Sequence, residues 1–192
     1  MNKPQNYENT QAIGEFTPIN LGGHRLIIMN VEELSTSTGN EYIKVSFDTA
    51  TNDTQPGYYA ASYKSDSREN KKWGGVTTVF PTDRDGRTSR QFKTFCTSVE
   101  KSNPGFKMVW GAGFCAALKG KAVGGVFGEE EYYNNSGDLK TAHKLFWFRS
   151  IEGVEDANIP AKRLAERTEA QDYAYDRAHD NAPSYADYDL PF

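Results

Sequence analysis

Aromatic and basic side chains are interleaved along this chain: Tyr42 with Lys44, Tyr59 with Tyr63 and Lys64, Lys71 and Lys72 with Trp73, and Lys140 and Lys144 with Trp147. Arg84 and Arg87 flank an Asp85-Gly86 turn. Rings on a surface stack on flat ligands, and cations beside them neutralise phosphates. The combination suits single-stranded nucleic acid, where each stacked base contributes roughly 1 to 3 kcal/mol. Strand aromatics also fill cores, so packing is the alternative for every ring. Tyr42 and Lys44 make the strongest pair, because the opposite face of their strand already carries Ile43, Val45 and Phe47.

Other chemistry finds less support. Gly111-Ala112-Gly113-Phe114-Cys115-Ala116 has the outline of a dinucleotide fingerprint, but no repeating βαβ unit surrounds it. Gly120-Lys121 is followed by Ala122, where a phosphate-binding P-loop needs Ser or Thr. Glu129-Glu130-Glu131 offers carboxylates for a divalent metal and hence for a nuclease, yet consecutive strand residues alternate faces, which favours a solvated strand end. His24, His143 and His179 are isolated, and no nucleophile has a partner. The reading is non-enzymatic, with neither metal nor cofactor. Cys96 and Cys115, the only cysteines, lie in apolar contexts and read as buried thiols.

The elements that must position these residues are mainly strands. Leu21 to Val31 is an apolar run ending in a polar loop, Ser35 to Asn40; Glu41 to Thr49 then alternates with period two, one face for a core and one for water. Gly57 to Lys64 reads as a third extended run, continued by Val76 to Phe80 after a basic, aromatic interruption. From Ser89 to Ser102, Phe92, Phe95, Cys96 and Val99 recur at helical spacing, with Thr88 or Ser89 as cap and Asn103-Pro104-Gly105 as stop. Phe106 to Ala117 reads as a short apolar helix or loop. Leu118 to Tyr133 and Leu139 to Ile151 flank the turn cluster Asn134-Asn135-Ser136-Gly137-Asp138 and predict a hairpin. Three strands, a helix and two strands is the element order of a five-stranded OB barrel; an open α+β sheet is the alternative.

Charge is sorted along the chain. Glu152 to Phe192 carries ten acidic and four basic residues, a net of −6, whereas the whole chain is −4, leaving about +2 on residues 1 to 151. This predicts a folded domain over 1–152 and an acidic tail over 153–192, disordered from Glu169 onward because it is poor in branched aliphatics. With so small a surplus, the body's cations must cluster on one face to bind nucleic acid. No run approaches the roughly twenty apolar residues needed to cross a bilayer, and the polar start, Met1 to Gln11, has no signal-peptide core, so a cytoplasmic protein is expected. The tail ends in Asp187-Tyr188-Asp189-Leu190-Pro191-Phe192, an apolar anchor among negative charges that would suit a basic pocket on a partner.

That ending resembles the acidic tip of bacterial single-stranded DNA-binding proteins, with Leu190 where isoleucine is usual. The resemblance implies that Asp187, Asp189, Leu190, Pro191 and Phe192 bind replication or recombination proteins and do not hold DNA. A broader likeness covers roughly residues 20 to 165. Glu41-Tyr42-Ile43-Lys44-Val45-Ser46-Phe47, Leu118-Lys119-Gly120-Lys121-Ala122-Val123-Gly124, Phe127-Gly128-Glu129-Glu130-Glu131-Tyr132 and Lys144-Leu145-Phe146-Trp147-Phe148-Arg149-Ser150 resemble a single-stranded DNA-binding-like family from replication modules of phages of Gram-positive hosts. It implies an OB fold, a homo-oligomer and DNA protection in the host cytoplasm. A protein-interaction adaptor without direct DNA binding is the competing expectation.

Overall fold

Strand β2 (Glu41–Thr49) has the bounds its alternation predicts, with Ile43, Val45 and Phe47 buried on one side and Tyr42, Lys44 and Ser46 partly exposed on the other. A computed structural model of the chain describes residues 2–5, 7 and 17–166. The preceding strand, β1 (Gly22–Ser35), runs past the expected Val31 and serves two neighbours. Its first part pairs antiparallel with β4 (Ala122–Tyr133), from Gly22 opposite Phe127 to Ile27 opposite Ala122. The rest pairs antiparallel with β2, from Leu26 opposite Thr49 to Ser35 opposite Glu41, with a register shift between Ile28 and Asn30. Such an irregularity bends a strand and increases its twist. With β3 (Val76–Val79) and β5 (Leu139–Arg149) at the edges, the sheet has the order β3-β2-β1-β4-β5. The protein is mainly β, with five strands in one antiparallel sheet that is not closed.

The expected third strand at Gly57 to Lys64 is instead helix α1 (Tyr58–Ser65). Its N-cap is Gly57, which has no side chain to cap with; the cap comes from Asp48 at the end of β2. The Asp48 carboxylate accepts from the amides of Tyr59 at 2.8 Å and Ala60 at 3.1 Å. Two donors that a helix start leaves unpaired are thereby satisfied. Tyr59 consequently points into the core, 9 % exposed and edge-on to Phe47 with ring centroids 5.5 Å apart. The chain returns beneath this ring at Gly75, where a Cβ would lie 2.2 Å from the Phe47 carbonyl oxygen and 2.8 Å from the Tyr59 ring. Only glycine fits there.

Helix α2 (Arg90–Ser102) and its signals are as expected: the Ser89 hydroxyl accepts from the Phe92 amide at 3.1 Å, and Phe95, Cys96 and Val99 are buried. Asn103 ends it and ties it to β4, donating to the Val99 and Ala122 carbonyls and accepting from the Ala122 amide. The Phe95 ring lies 4.8 Å from that of Phe148, which brings α2 alongside β5. Between α2 and β4 the chain makes a loop, a 3-10 turn at Gly111–Gly113 and the short α3 (Phe114–Leu118).

The chain divides into two units. One comprises Met1–Gly128 and His143–Pro160. Here His24, fully buried, sits with Nδ1 2.8 Å from Asp53 and Nε2 3.0 Å from the Asn20 carbonyl. Burial pushes the Asp53 carboxyl up, but His24 and the amides of Gln55 and Arg25 outweigh it and hold it below the usual carboxylate range. Past residue 152 the chain stays packed: Val154 is fully buried, and a Cβ on Gly23 would overlap its carbonyl oxygen.

The other unit comprises Glu129–Ala142 and Ala161–Phe192, described here as far as Glu166. Its turn is closed by Asn134, whose side chain accepts from the amides of Ser136 and Asp138, as the turn cluster predicts. Arg163 pairs in parallel with Glu130. The acidic run faces cations: Lys162 lies 2.7 Å from Glu131 and 4.0 Å from Glu129, and Arg163 lies 3.3 Å from Glu130. Among the described residues, no helix is long and apolar enough to cross a membrane.

Candidate functional site

A groove of about 440 Å³ opens in the first unit, beside the loop that joins β1 to β2. Leu34 and Tyr42, register partners on β1 and β2, form one wall; Phe92 of α2, Trp110 of the following loop and Phe114 of α3 form the other. The Trp110 and Phe114 rings stack with centroids 5.7 Å apart and planes 14° off parallel. Phe92 joins them at 5.9 Å from Phe114 and 6.3 Å from Trp110. Phe80, just beyond β3, lies 5.8 Å from Tyr42 and extends the aromatic surface.

Local hydrogen bonds place these rings. The Met108 amide donates to Glu100 of α2 at 2.8 Å, which holds the loop bearing Trp110, and Gly111 then turns the chain with φ 78°. The Ser89 amide donates to the Pro81 carbonyl at 2.8 Å, fixing the start of α2 against the end of β3. Trp110 nevertheless remains 66 % exposed, an apolar surface left in water with one flat neighbour beneath it. A second planar group can be added to that stack. Glu33 and Glu41 rim the groove, so it favours rings and disfavours phosphates. Burial, with the Glu33 carboxylate nearby, pushes the Cys115 thiol up, which disfavours a nucleophilic thiolate there.

Of the nucleic-acid contacts expected from the sequence, only Tyr42 lines this groove. Lys44, beside it on the same face, lies 3.2 Å from Glu32. Tyr59 belongs to the core, so it offers no face for stacking. Tyr63, Lys71 and Trp73 form a separate cluster, with Trp73 5.9 Å from Tyr63 and the Lys71 ammonium 4.6 Å above the Tyr63 ring; Lys64 and Lys72 are exposed. Trp73 is half-buried, and its ring N–H donates to the Phe47 carbonyl at 2.9 Å. Arg68 in the same loop hydrogen-bonds Asp66 and holds that carboxyl at about 2.

Arg84 and Arg87 occupy a turn organised by Asp83, with Arg87 3.8 Å from Asp85. Lys140 belongs to the second unit and lies 4.0 Å from Asp138. On β5, Phe146 and Phe148 are buried while Trp147 is 43 % exposed, so Trp147 lies on the wet face; Lys144 is exposed too. The expected cations therefore sit on several separate segments, and Lys44, Lys71, Arg87 and Lys140 each have a carboxylate or ring of their own. Asp187, Asp189, Leu190, Pro191 and Phe192 lie outside the described residues.

Phe92, Trp110 and Phe114 went unrecognised in the sequence as functional candidates. Phe92 shares its helical stripe with core residues, and Phe114 sits inside the apparent dinucleotide fingerprint, which forms the 3-10 turn and the start of α3. The usable signal is Trp110 immediately before Gly111, a bulky ring at a turn. No family model matches the chain, and no curated protein matches it.

Proposed function

We propose that the chain is a single-stranded DNA-binding protein of the kind found in phage replication modules, with a fold of the OB type. The strand order carries this reading. In an OB barrel the first strand pairs with the second and the fourth, and the helix lies between the third and fourth. Opening that ring between its third and fifth strands leaves β3-β2-β1-β4-β5, the order of this sheet, with α2 and α3 between β3 and β4. The register shift in β1, between Ile28 and Asn30, lies just past the last residue paired with β4 and bends the strand, as closing a sheet into a barrel needs. The aromatic groove lies beside the β1–β2 loop, a position from which OB domains hold oligonucleotides.

Bases of an unpaired strand enter the groove and stack on Trp110 and Tyr42, while the carboxylate rim keeps the phosphates outside it. Duplex DNA, whose bases are already stacked, has no comparable surface to offer. Following its resemblance, the acidic tip presents Phe192 to replication or recombination proteins and takes no part in strand binding. Removing Leu190 to Phe192 is expected to abolish partner capture and leave oligonucleotide affinity unchanged.

Fluorescence anisotropy of labelled oligo-dT and of its duplex, titrated with the full chain at two salt concentrations, tests the reading. Preferential single-strand binding that weakens with salt is expected, and no binding at low salt sinks the proposal. In that case the acidic rim around an apolar groove favours the adaptor, whose partner would be a basic, apolar protein segment.

A further inference from the structure

We infer that the bound strand leaves the aromatic groove along helix α2 and is held there through its phosphates by Lys93, Lys101 and Arg149. The inference rests on the DNA-binding reading and adds a path and contacts that the sequence did not suggest. The aromatic groove shares Phe92 and Trp110 with a neighbouring hollow of about 330 Å³, also lined by Lys93 and Thr97. That hollow in turn shares Lys93 and Thr97 with a third, of about 360 Å³, lined by Lys101 and Arg149. The shared walls make one continuous surface, aromatic at one end and basic at the other.

Helix geometry produces the basic end. Lys93, Thr97 and Lys101 recur every four residues and form one line along α2, spanning ~12 Å at 1.5 Å per residue. Arg149 is added by β5, which the Phe95–Phe148 contact holds beside the helix. Thr94, Ser98 and Ser150 line the same hollow and supply hydroxyl donors of the kind that phosphate oxygens accept from. None of Lys93, Lys101 and Arg149 has a carboxylate within 4.0 Å among the described residues, unlike Lys44, Arg87 and Lys140. The acid in the middle hollow, Glu100, is engaged by the Met108 amide.

An occupant must therefore bring flat rings to one end and negative charge to the other. A single strand does both along one backbone. An acidic peptide would fit the basic end but is repelled by Glu33 and Glu41 at the aromatic end.

The test is a salt titration of oligonucleotide affinity for the full chain, comparing Lys93→Ala/Lys101→Ala and Arg149→Ala with Lys71→Ala/Lys72→Ala. Each phosphate contact on a single strand adds about 0.7 to the slope of log affinity against log salt. The Lys93/Lys101 double variant is expected to lose about 1.4 of that slope, Arg149→Ala about half as much, and Lys71→Ala/Lys72→Ala none. All these lysines are on the surface, and an unchanged melting temperature confirms that the fold is retained. If the Lys93/Lys101 variant keeps the parent slope and affinity while the parent binds, the path along α2 is wrong and the DNA reading stands. If the parent does not bind, the DNA reading fails and takes the path with it.

Discussion

The groove around Trp110 and the cluster around Trp73 contain the same kinds of residue, aromatic rings with lysines nearby, yet they are built in opposite ways. Trp73 has its ring N–H bonded to the β2 backbone, and its neighbour Tyr63 is already covered by Lys71. Trp110 has one face on Phe114 and the rest in water, and its nearest lysine along α2, Lys93, is free of carboxylates among the described residues. The first cluster engages its tryptophan and Lys71 with its own groups. The second leaves its tryptophan exposed and Lys93 without a carboxylate among the described residues. On the proposed reading, interleaved aromatic and basic residues identify a binding face only when the rings stay exposed and the cations stay unpaired.

Two substitutions would break the comparison most directly. Trp73→Ala removes a half-buried ring and leaves the Phe47 carbonyl short of a donor, so it is expected to lower stability by about 3 kcal/mol. Its folded fraction should bind oligonucleotide as the parent does. Trp110→Ala should do the reverse, with a melting temperature close to the parent's and an affinity lower by about 2 kcal/mol, or roughly 30-fold. Thermal melts and anisotropy on both variants separate the effects. An unchanged affinity in Trp110→Ala would remove the stacking site.

A smaller effect is expected at Asp48, which supports the Trp73 side of the comparison without touching it. Replacing Asp48 by Ala takes the cap from α1 and leaves the amides of Tyr59 and Ala60 without their acceptor. A loss of about 1 to 2 kcal/mol follows, read from denaturant melts, with no change in oligonucleotide affinity. Were affinity to fall in step with stability, α1 and its lysines would belong to the binding face.

The same residue shows where the fold was legible in the sequence and where it was not. β2 and α2 could be read because their signals are local: strict alternation from Glu41 to Thr49, and a cap and stop within a few positions of Arg90–Ser102. Helix α1 could not, because its capping carboxylate is eleven residues from Tyr59 and belongs to a strand. Read alone, the tyrosines of Gly57 to Lys64 favour a strand. The aromatic groove is harder still, since Phe92, Trp110 and Phe114 come together only once α2, its loop and α3 have packed. Nor does the sequence show that Arg149 of β5 reaches Lys93 and Lys101 of α2, which depends on Phe95 meeting Phe148.

The smallest predicted effect sharpens the comparison by its sign. Glu33 and Glu41 rim the Trp110 groove, and neither carboxylate helps a strand whose bases enter while its phosphates remain nearby. Replacing both by glutamine keeps shape and hydrogen-bonding capacity and removes two negative charges. Exposed charge interactions contribute about 0.2 to 1 kcal/mol each, so oligonucleotide affinity should rise a few-fold at low salt, and the gain should shrink as salt is added. A groove shaped for a basic protein segment predicts the opposite: the double variant would weaken capture of that partner and leave oligonucleotide affinity where it was. A fall in oligonucleotide affinity would mean that the carboxylates accept hydrogen bonds from the bases, and the rim would then select among bases instead of only excluding phosphates.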